Sequence, residues 1–394
     1  MRNPAITSAS ALGLVLFLSI FIVSAPSAAD VSKQNNPLVV HEWGTFTSVT
    51  TKAGYGISWR PLRVESDLPP FIYSVDKGES WRYGFSYHTK SARAVHVRME
   101  TPVLYFYTGA ETEVKVKVGF PAGIVTEWYP QAKGGEGGID WGTLRITPGL
   151  RVELPHDAKQ NHYYPARETD AAILEVPGKG RAEHEKFLFY RGVGDFGLPV
   201  NLKLDGDKVI LTNSSKNQLA KAILFENRAG QIGFSVLDLN RPQTTVDRPV
   251  PGNQVDKLRQ EFKGILLSEG LYEKEAEAML NTWRDSWYEE GLRLFFIIPR
   301  ADTDRILPLT IEPQPAAVVR VLVGRSEVIT PEMEQHMSAQ LLKLKDPSPK
   351  VQTQARNEIN RYGRFIESIL GQISDHSADP QVQSAARKLM QEMN

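Results

Sequence analysis

Through residues 38–251 the chain alternates apolar and polar positions. Val95, Val97 and Met99 interleave with His96, Arg98 and Glu100; Val114, Val116 and Val118 interleave with Glu113, Lys115 and Lys117. Successive side chains of a strand point to opposite faces, so each run predicts a strand with one buried face. Short apolar runs at residues 104–107, 186–190, 209–211 and 223–225 predict further strands. They recur at a spacing of roughly 10 to 15 residues with Gly, Pro and Asn between them, which favours an antiparallel β-sandwich or a pair of packed sheets over βαβ units. Gly134-Gly135-Glu136-Gly137-Gly138 predicts a flexible loop.

The period changes at residues 253–291. Val255, Leu258, Phe262, Ile265 and Leu266 form one helical stripe; Ala276, Met279, Leu280, Trp283 and Trp287 form a second. A helical hairpin is expected there. Strands return at residues 292–298 and 318–323, either completing the sandwich or building a small second sheet. From Thr330-Pro331-Glu332, an N-cap, a proline at N1 and an acidic first turn, the tail reads as helical. It carries a weak repeat: Pro349-Lys350-Val351-Gln352 with Ala355-Arg356 recurs as Pro380-Gln381-Val382-Gln383 with Ala386-Arg387. This resembles HEAT-like helical pairs, too few for a free solenoid, and predicts a cap leaning on the β body. The expected class is mainly β, a sandwich-like body over residues 30–251, a hairpin with returning strands over 252–329, and a HEAT-like α-helical cap over 330–394.

Residues 1–29 change the setting. Arg2 precedes an apolar run of about 13 residues, against the ~20 of a spanning helix, and small residues precede Asp30. This is the pattern of a secretory signal peptide, so a periplasmic or secreted protein is expected, with no integral span after cleavage and a polar lead at residues 30–37. Removing the leader takes away Arg2 alone from the 46 basic residues, against 46 acidic ones. The near-zero charge offers no field to attract nucleic acid. The absence of cysteine excludes a disulfide framework, thiolate metal sites and a thiol nucleophile.

Five segments carry a resemblance: His41-Glu42-Trp43-Gly44-Thr45-Phe46-Thr47, Arg98-Met99-Glu100-Thr101-Pro102-Val103, Thr126-Glu127-Trp128-Tyr129-Pro130, Phe189-Tyr190-Arg191-Gly192-Val193-Gly194 and Ser286-Trp287-Tyr288-Glu289-Glu290-Gly291. With these motifs the chain resembles an uncharacterised family of exported bacterial proteins. The resemblance implies a shared architecture and names no reaction.

Candidate chemistry gathers in the same segments. His96, Arg98 and Glu100 share a strand face and could bind an anion, or could be a solvated face. Glu127 beside Trp128-Tyr129 could have a raised pKa and serve as a general acid. His41, Glu42, Glu100 and Glu127 could form a paired-carboxylate site or a His/carboxylate metal site, or could be structural pairs under the sheet rim; His41, Glu100 and Glu127 are the candidate catalytic residues, as acid, base or metal ligands, and no metal is named. Trp59, Trp81, Trp128 and Arg98 are the candidate ligand-binding residues, with Trp141 a further surface candidate; exposed indoles stack on sugar rings, whereas buried ones are simply core. Trp283 and Trp287 read as core. Glu289-Glu290 at a helix end face the unfavourable end of the dipole, which points either to a partner, an Arg such as Arg293 or Arg300 or a cation, or to a simple solvated helix end. Gly192-Val193-Gly194-Asp195-Phe196-Gly197 fits a dinucleotide fingerprint, but a strand pattern follows it where a helix is required.

Three functions remain open: a protein binding a glycan or other polymer, a secreted hydrolase with a His/carboxylate site, and an interaction module docking a protein partner through its helical tail. Binding requires Trp59 and Trp81 exposed on one face. Hydrolysis requires His41, Glu100 and Glu127 within a few Å of one another.

Overall fold

The computed structural model describes residue 1 and residues 37–60, 68–75, 94–159, 161–217, 219 and 221–393. The leader, the polar lead before Pro37 and Trp81 lie outside the described residues.

The β body comprises β1 (Val39–Thr50), β2 (Tyr73–Ser74), β3 (Val97–Tyr107), β4 (Thr112–Tyr129), β5 (Lys133–Thr147), β6 (Ile173–Val176), β7 (Glu183–Glu185), β8 (Leu188–Gly194), β9 (Val200–Asp205), β10 (Lys208–Asn213), β11 (Lys221–Arg228), β12 (Gln231–Asp238) and β13 (Gln243–Asp247), joined later by β14 (Gly291–Ile297), β15 (Leu309–Glu312) and β16 (Ala317–Val328). The helices are α1 (Val255–Ser268), α2 (Glu273–Thr282), α3 (Arg300–Ile306), α4 (Pro331–Lys343), α5 (Pro349–Asn360), α6 (Ile366–His376) and α7 (Pro380–Glu392). The class is mainly β with a helical tail, as the alternation predicts.

Among the described residues, thirteen strands form one sheet in the order β12-β11-β14-β16-β1-β3-β8-β4-β5-β6-β7, with β15 and β2 also on β4; β13-β10-β9 form a second. The long strand β4 makes the sandwich. Its residues 112–124 pair with β5 and its residues 123–129 with β8, with a register shift between Phe120 and Ile124. Side chains from both halves meet in one core: Val40, Leu104 and Phe106 pack with Val116, Ile139 and Leu144, and with Val209 and Leu211 of the second sheet. Alternation decides which side chains enter it. Val114, Val116 and Val118 are buried while Glu113, Lys115 and Lys117 are exposed.

The returning strands complete the large sheet. β14 and β16 lie inside it, and β16 pairs β1 in parallel, from Val39↔Ala317 to Thr50↔Val328. The sandwich is thus mixed, against the antiparallel expectation. A strand returning after a helical excursion can pair in parallel; a tight hairpin cannot. The glycine run at 134–138 is a second correction. It lies inside β5, where Gly138 at φ +137° approaches the β4 backbone too closely for a Cβ, which would sit 2.2 Å from the Val118 carbonyl oxygen.

The opposite face of the central sheet carries two helical layers. Trp43, Val103, Tyr105, Phe295, Val321 and Val323 pack with Leu258, Phe262, Ala276, Met279 and Trp287 of the hairpin and its connector. Farther along the same face, Val49 and Ile329 pack with Met337, Leu341, Ile359, Ile369, Leu370 and Ala386 of the C-terminal helices. Trp283 and Trp287 are core.

The tail repeat is a repeated helix start. Pro349 and Pro380 open α5 and α7. Gln352 Nε2 donates to the Asp346 carbonyl (2.8 Å), and Gln383 Nε2 to the Ser377 carbonyl (2.7 Å). Ala355 and Ala386 are both fully buried. The copies differ at the cap: the Asp379 side chain accepts from Gln381 N, whereas the Ser348 side chain makes no cap hydrogen bond. Asp379→Ala is therefore expected to cost about 1 kcal/mol and Ser348→Ala close to nothing, read from urea unfolding followed by circular dichroism. Equal losses at both sites would refute the assignment.

Candidate functional site

The cross-strand register sets the site. On the helix-facing side of the central sheet, Val323, Thr45 and Glu100 form one row across β16, β1 and β3, and Arg325, Thr47 and Arg98 form the next. β14 extends these rows with Ile297 and Phe295. A charged patch therefore interrupts an apolar face, between the hairpin layer and the C-terminal helices.

Glu100 is its centre. It is 2% exposed and accepts from Thr47 Oγ1 at 2.6 Å, lies 3.2 Å from Arg98 Nε, and accepts from Arg364 Nη1, which the C-terminal helices deliver. Burial raises its pKa, but Arg364, Arg98 and Arg325 outweigh that and lower it to about 2. Glu100 is followed by Thr101, at φ +48°, where the β3–β8 register slips. This left-handed residue costs on the order of 1 kcal/mol and marks the strand's bend at the patch. Glu127 lies two strands from Glu100, across β8. It accepts from Arg191 Nε at 2.9 Å and from Thr126 Oγ1 at 2.5 Å. It is an ion-paired carboxylate, and the expected general acid facing aromatic rings is not found.

His41 stands elsewhere. It lies six residues before Thr47 on β1, roughly 20 Å at strand rise, and pairs with Glu275 of α2 at 2.7 Å. Glu275 also accepts from Tyr107 Oη and the Tyr272 amide, and the Tyr272 ring covers His41 at 4.3 Å. His41 fastens the hairpin to β1. The three residues that hydrolysis required to converge do not do so. Among the described residues, no group of three or more His, Asp or Glu is placed to hold a metal.

The tryptophans need correction too. Trp59 is 2% exposed and packs 6.1 Å from Phe365; Trp128 and Trp141 are buried in the sandwich core. These indoles fill core positions because large flat side chains bury the most apolar surface. Arg98 does lie in the patch. Glu289 and Glu290 have arginine partners, but not those expected: Arg325 and Arg364 face Glu289, and Arg361 pairs Glu290. Arg293 binds the carbonyls of Trp287 and Glu290 and the Glu327 carboxylate. The glycine fingerprint ends a strand and opens no helix: Gly192 to Gly194 close β8, residues 195–197 follow it in no regular element, and a Cβ on Gly192 would meet the Ile124 carbonyl oxygen at 2.0 Å.

One open cleft, of about 470 Å³, lies at the strand ends and is lined by Ser48, His96, Asp195, Phe196, Asn201 and Ser326 among others. His96 Nδ1 pairs with Asp195, and both are well exposed. Ser48 Oγ lies 3.2 Å from Ser326 Oγ at its floor. The Phe196 ring is held edge-on by Phe46 and Phe120, at 5.4 and 6.1 Å. Period two flagged His96, but Asp195, Phe196 and Ser326 become its neighbours only through the fold.

No family model and no curated protein matches the chain. Among solved structures it is similar to the yeast delta-COP-I mu-homology domain, and to that domain complexed with a Dsl1 WxWxV peptide. Each has a TM-score of 0.28 at 8% identity, over 75% of this chain and 99% of the other. A likeness this weak assigns no function. No helix among the described residues is long and apolar enough to cross a membrane.

Proposed function

We propose that this is an exported binding protein whose ligand is a polyhydroxylated molecule such as a glycan, taken up in the cleft at the strand ends. The leader at residues 1–29 supports export. The exposed tryptophan face expected of a glycan binder is not met at Trp59, which is buried, so one other observation carries the binding reading: the cleft sets the Phe196 ring, packed by Phe46 and Phe120, beside a carboxylate, an imidazole and two hydroxyls. Sugar C–H groups stack on a ring while their hydroxyls need donors and acceptors in turn, and the cleft's size suits a small ligand. The hydrolase reading has less support. Glu100 stays ionised and cannot donate a proton near neutral pH, and His41 is occupied beneath the hairpin.

The test is the unfolding midpoint of the mature protein against soluble glycans. A ligand of the folded state raises it by mass action. A saturable rise of the wild-type midpoint is expected, absent in Asp195→Ala. No rise with any glycan, or an equal rise in the variant, would remove this reading.

A further inference from the structure

The sheets end differently at their several edges. Among the described residues, β2 and β7 are two and three residues long, and β15 is four residues between Pro308 and Pro313. In the second sheet β9 is covered in part, since the Leu204 amide donates to the Lys52 carbonyl (2.7 Å), and β13 carries mostly exposed polar side chains. Shortness, proline, charge and cover are how proteins blunt a free edge, which otherwise pairs with another strand. β12 lacks these protections. It is eight residues long, pairs with β11 as its one neighbouring strand, and from Ile232 to Leu237 carries neither a charge nor a proline.

The hairpin turn decides which backbone groups of β12 face outward. Ala229 and Gly230 form a two-residue loop at φ +51° and +84°, so Arg228 and Gln231 are the first hydrogen-bonded pair of β11 and β12. Such pairs alternate along an antiparallel ladder. Gln231, Gly233, Ser235 and Leu237 therefore bond to β11, and the residues between them turn their amides and carbonyls outward. Ile232 does so: its amide donates to the Gly252 carbonyl at 2.7 Å. The chain then enters α1 at Val255, and among the described residues nothing pairs with the outward groups of Phe234, Val236 and Asp238. Phe234 and Val236 are half-buried against the hairpin layer, Leu237 is half-buried against the sandwich core, and Asp238 is exposed.

We propose that β12 pairs with itself: two copies of this chain join antiparallel through residues 234–238, about a two-fold axis at Val236, and the large sheet runs on from one copy into the other. The free groups set the register. Centring on Val236 uses every outward amide between Ile232, already taken, and the strand end at Asp238. It sets Val236 against its own counterpart and Phe234 against Asp238 of the partner subunit. The charges fit that register. The Lys257 ammonium lies 6.0 Å from the Phe234 ring centroid, and directly opposite side chains stand about 5 Å apart, so each Asp238 arrives beside a lysine. Asp238 and Lys257 are exposed and make no ion pair of their own among the described residues. β12 contributes no residue to the cleft at the strand ends, so the pairing is independent of the ligand proposed there.

The experiment is sedimentation equilibrium of the mature protein from about 1 µM to about 1 mM, a range that brackets weak specific contacts. Wild type should pass reversibly from monomer to dimer and stop there, because a two-fold contact uses up the edge. Val236→Pro deletes one outward amide and no bond to β11, a place where edge strands accept proline. It should stay folded by circular dichroism and stay monomeric. Asp238→Lys and Lys257→Asp should each weaken the dimer roughly tenfold, since the two-fold places the pair in the interface twice. Combining them exchanges the charges and should restore it. These exposed sites decide the matter even where Val236→Pro does not fold. A wild type that is monomeric throughout, a folded Val236→Pro that still dimerises, or a double charge variant no stronger than the single ones would overturn the proposal.

Discussion

Arg320→Met should lower the stability of this protein by roughly 3–5 kcal/mol, the loss expected when a buried carboxylate is left without its cation. Glu42 is fully buried on the sandwich side of β1 and faces Arg320 across the parallel β1–β16 pair. Its Oε2 accepts from Arg320 Nε and its Oε1 from Tyr190 Oη, both at 2.5 Å. Arg320 Nη1 continues to Asp304 of α3 (2.8 Å) and to the Leu307 carbonyl (2.7 Å). One carboxylate thereby ties β1, β8, β16 and α3 together inside the core. Burial alone would lower the Arg320 pKa, but Glu42 raises it instead, so the guanidinium is charged at any pH where the protein folds.

The same geometry predicts a partial reversal. Replacing both charges with apolar groups of similar volume can be neutral or stabilising, because the desolvation of two ions disappears with their attraction. The double variant Glu42→Leu/Arg320→Met should recover much of the single-variant loss in urea unfolding, though the Tyr190 hydroxyl stays unpaired. A loss under 1 kcal/mol for Arg320→Met would mean that water reaches Glu42. Additive losses in the double variant would mean that the two side chains are not energetically coupled.

How far the sequence reaches is clear from these residues. Period-two alternation is a local signal and locates β3 and β4 correctly, because burial of one face imposes it residue by residue. The hairpin stripes and the tail repeat are legible for the same reason. What stays hidden depends on register between distant segments. Nothing local to Glu42 announces Arg320, 278 positions later. Nor does anything local to Glu100 announce Arg364, which arrives 264 positions later on a helical layer of its own. Glu127 shows the cost of reading neighbours alone: the adjacent Trp128-Tyr129 suggested an apolar setting, yet alternation sends Trp128 into the sandwich core while Glu127 points the other way, to Arg191. Trp59 looked exposed for its polar, glycine-containing flanks and is covered by the tail. The Arg98–Glu100 pair was visible because both residues lie on one strand face; its depth was not.

Acid should release the tail from the sheet, through Glu100. Its pKa is near 2 in the folded protein against an ordinary carboxylate value of 4.5. A depressed folded pKa contributes stability that is complete above the unfolded value and fades as pH falls through the window from about 5 to about 2. The shift corresponds at most to about 3 kcal/mol. Below that window Arg98, Arg325 and Arg364 face a neutral side chain and one another, and the joint with the C-terminal helices repels itself. Glu100→Gln imposes that state at neutral pH. Its stability deficit relative to wild type should be greatest near pH 6 and shrink steadily toward pH 2, as wild type loses the same charge by protonation. Unfolding of both proteins at a series of pH values measures this. A deficit that stays constant from pH 6 to pH 3 would show that the carboxylate's charge is not what binds the helices to the sheet.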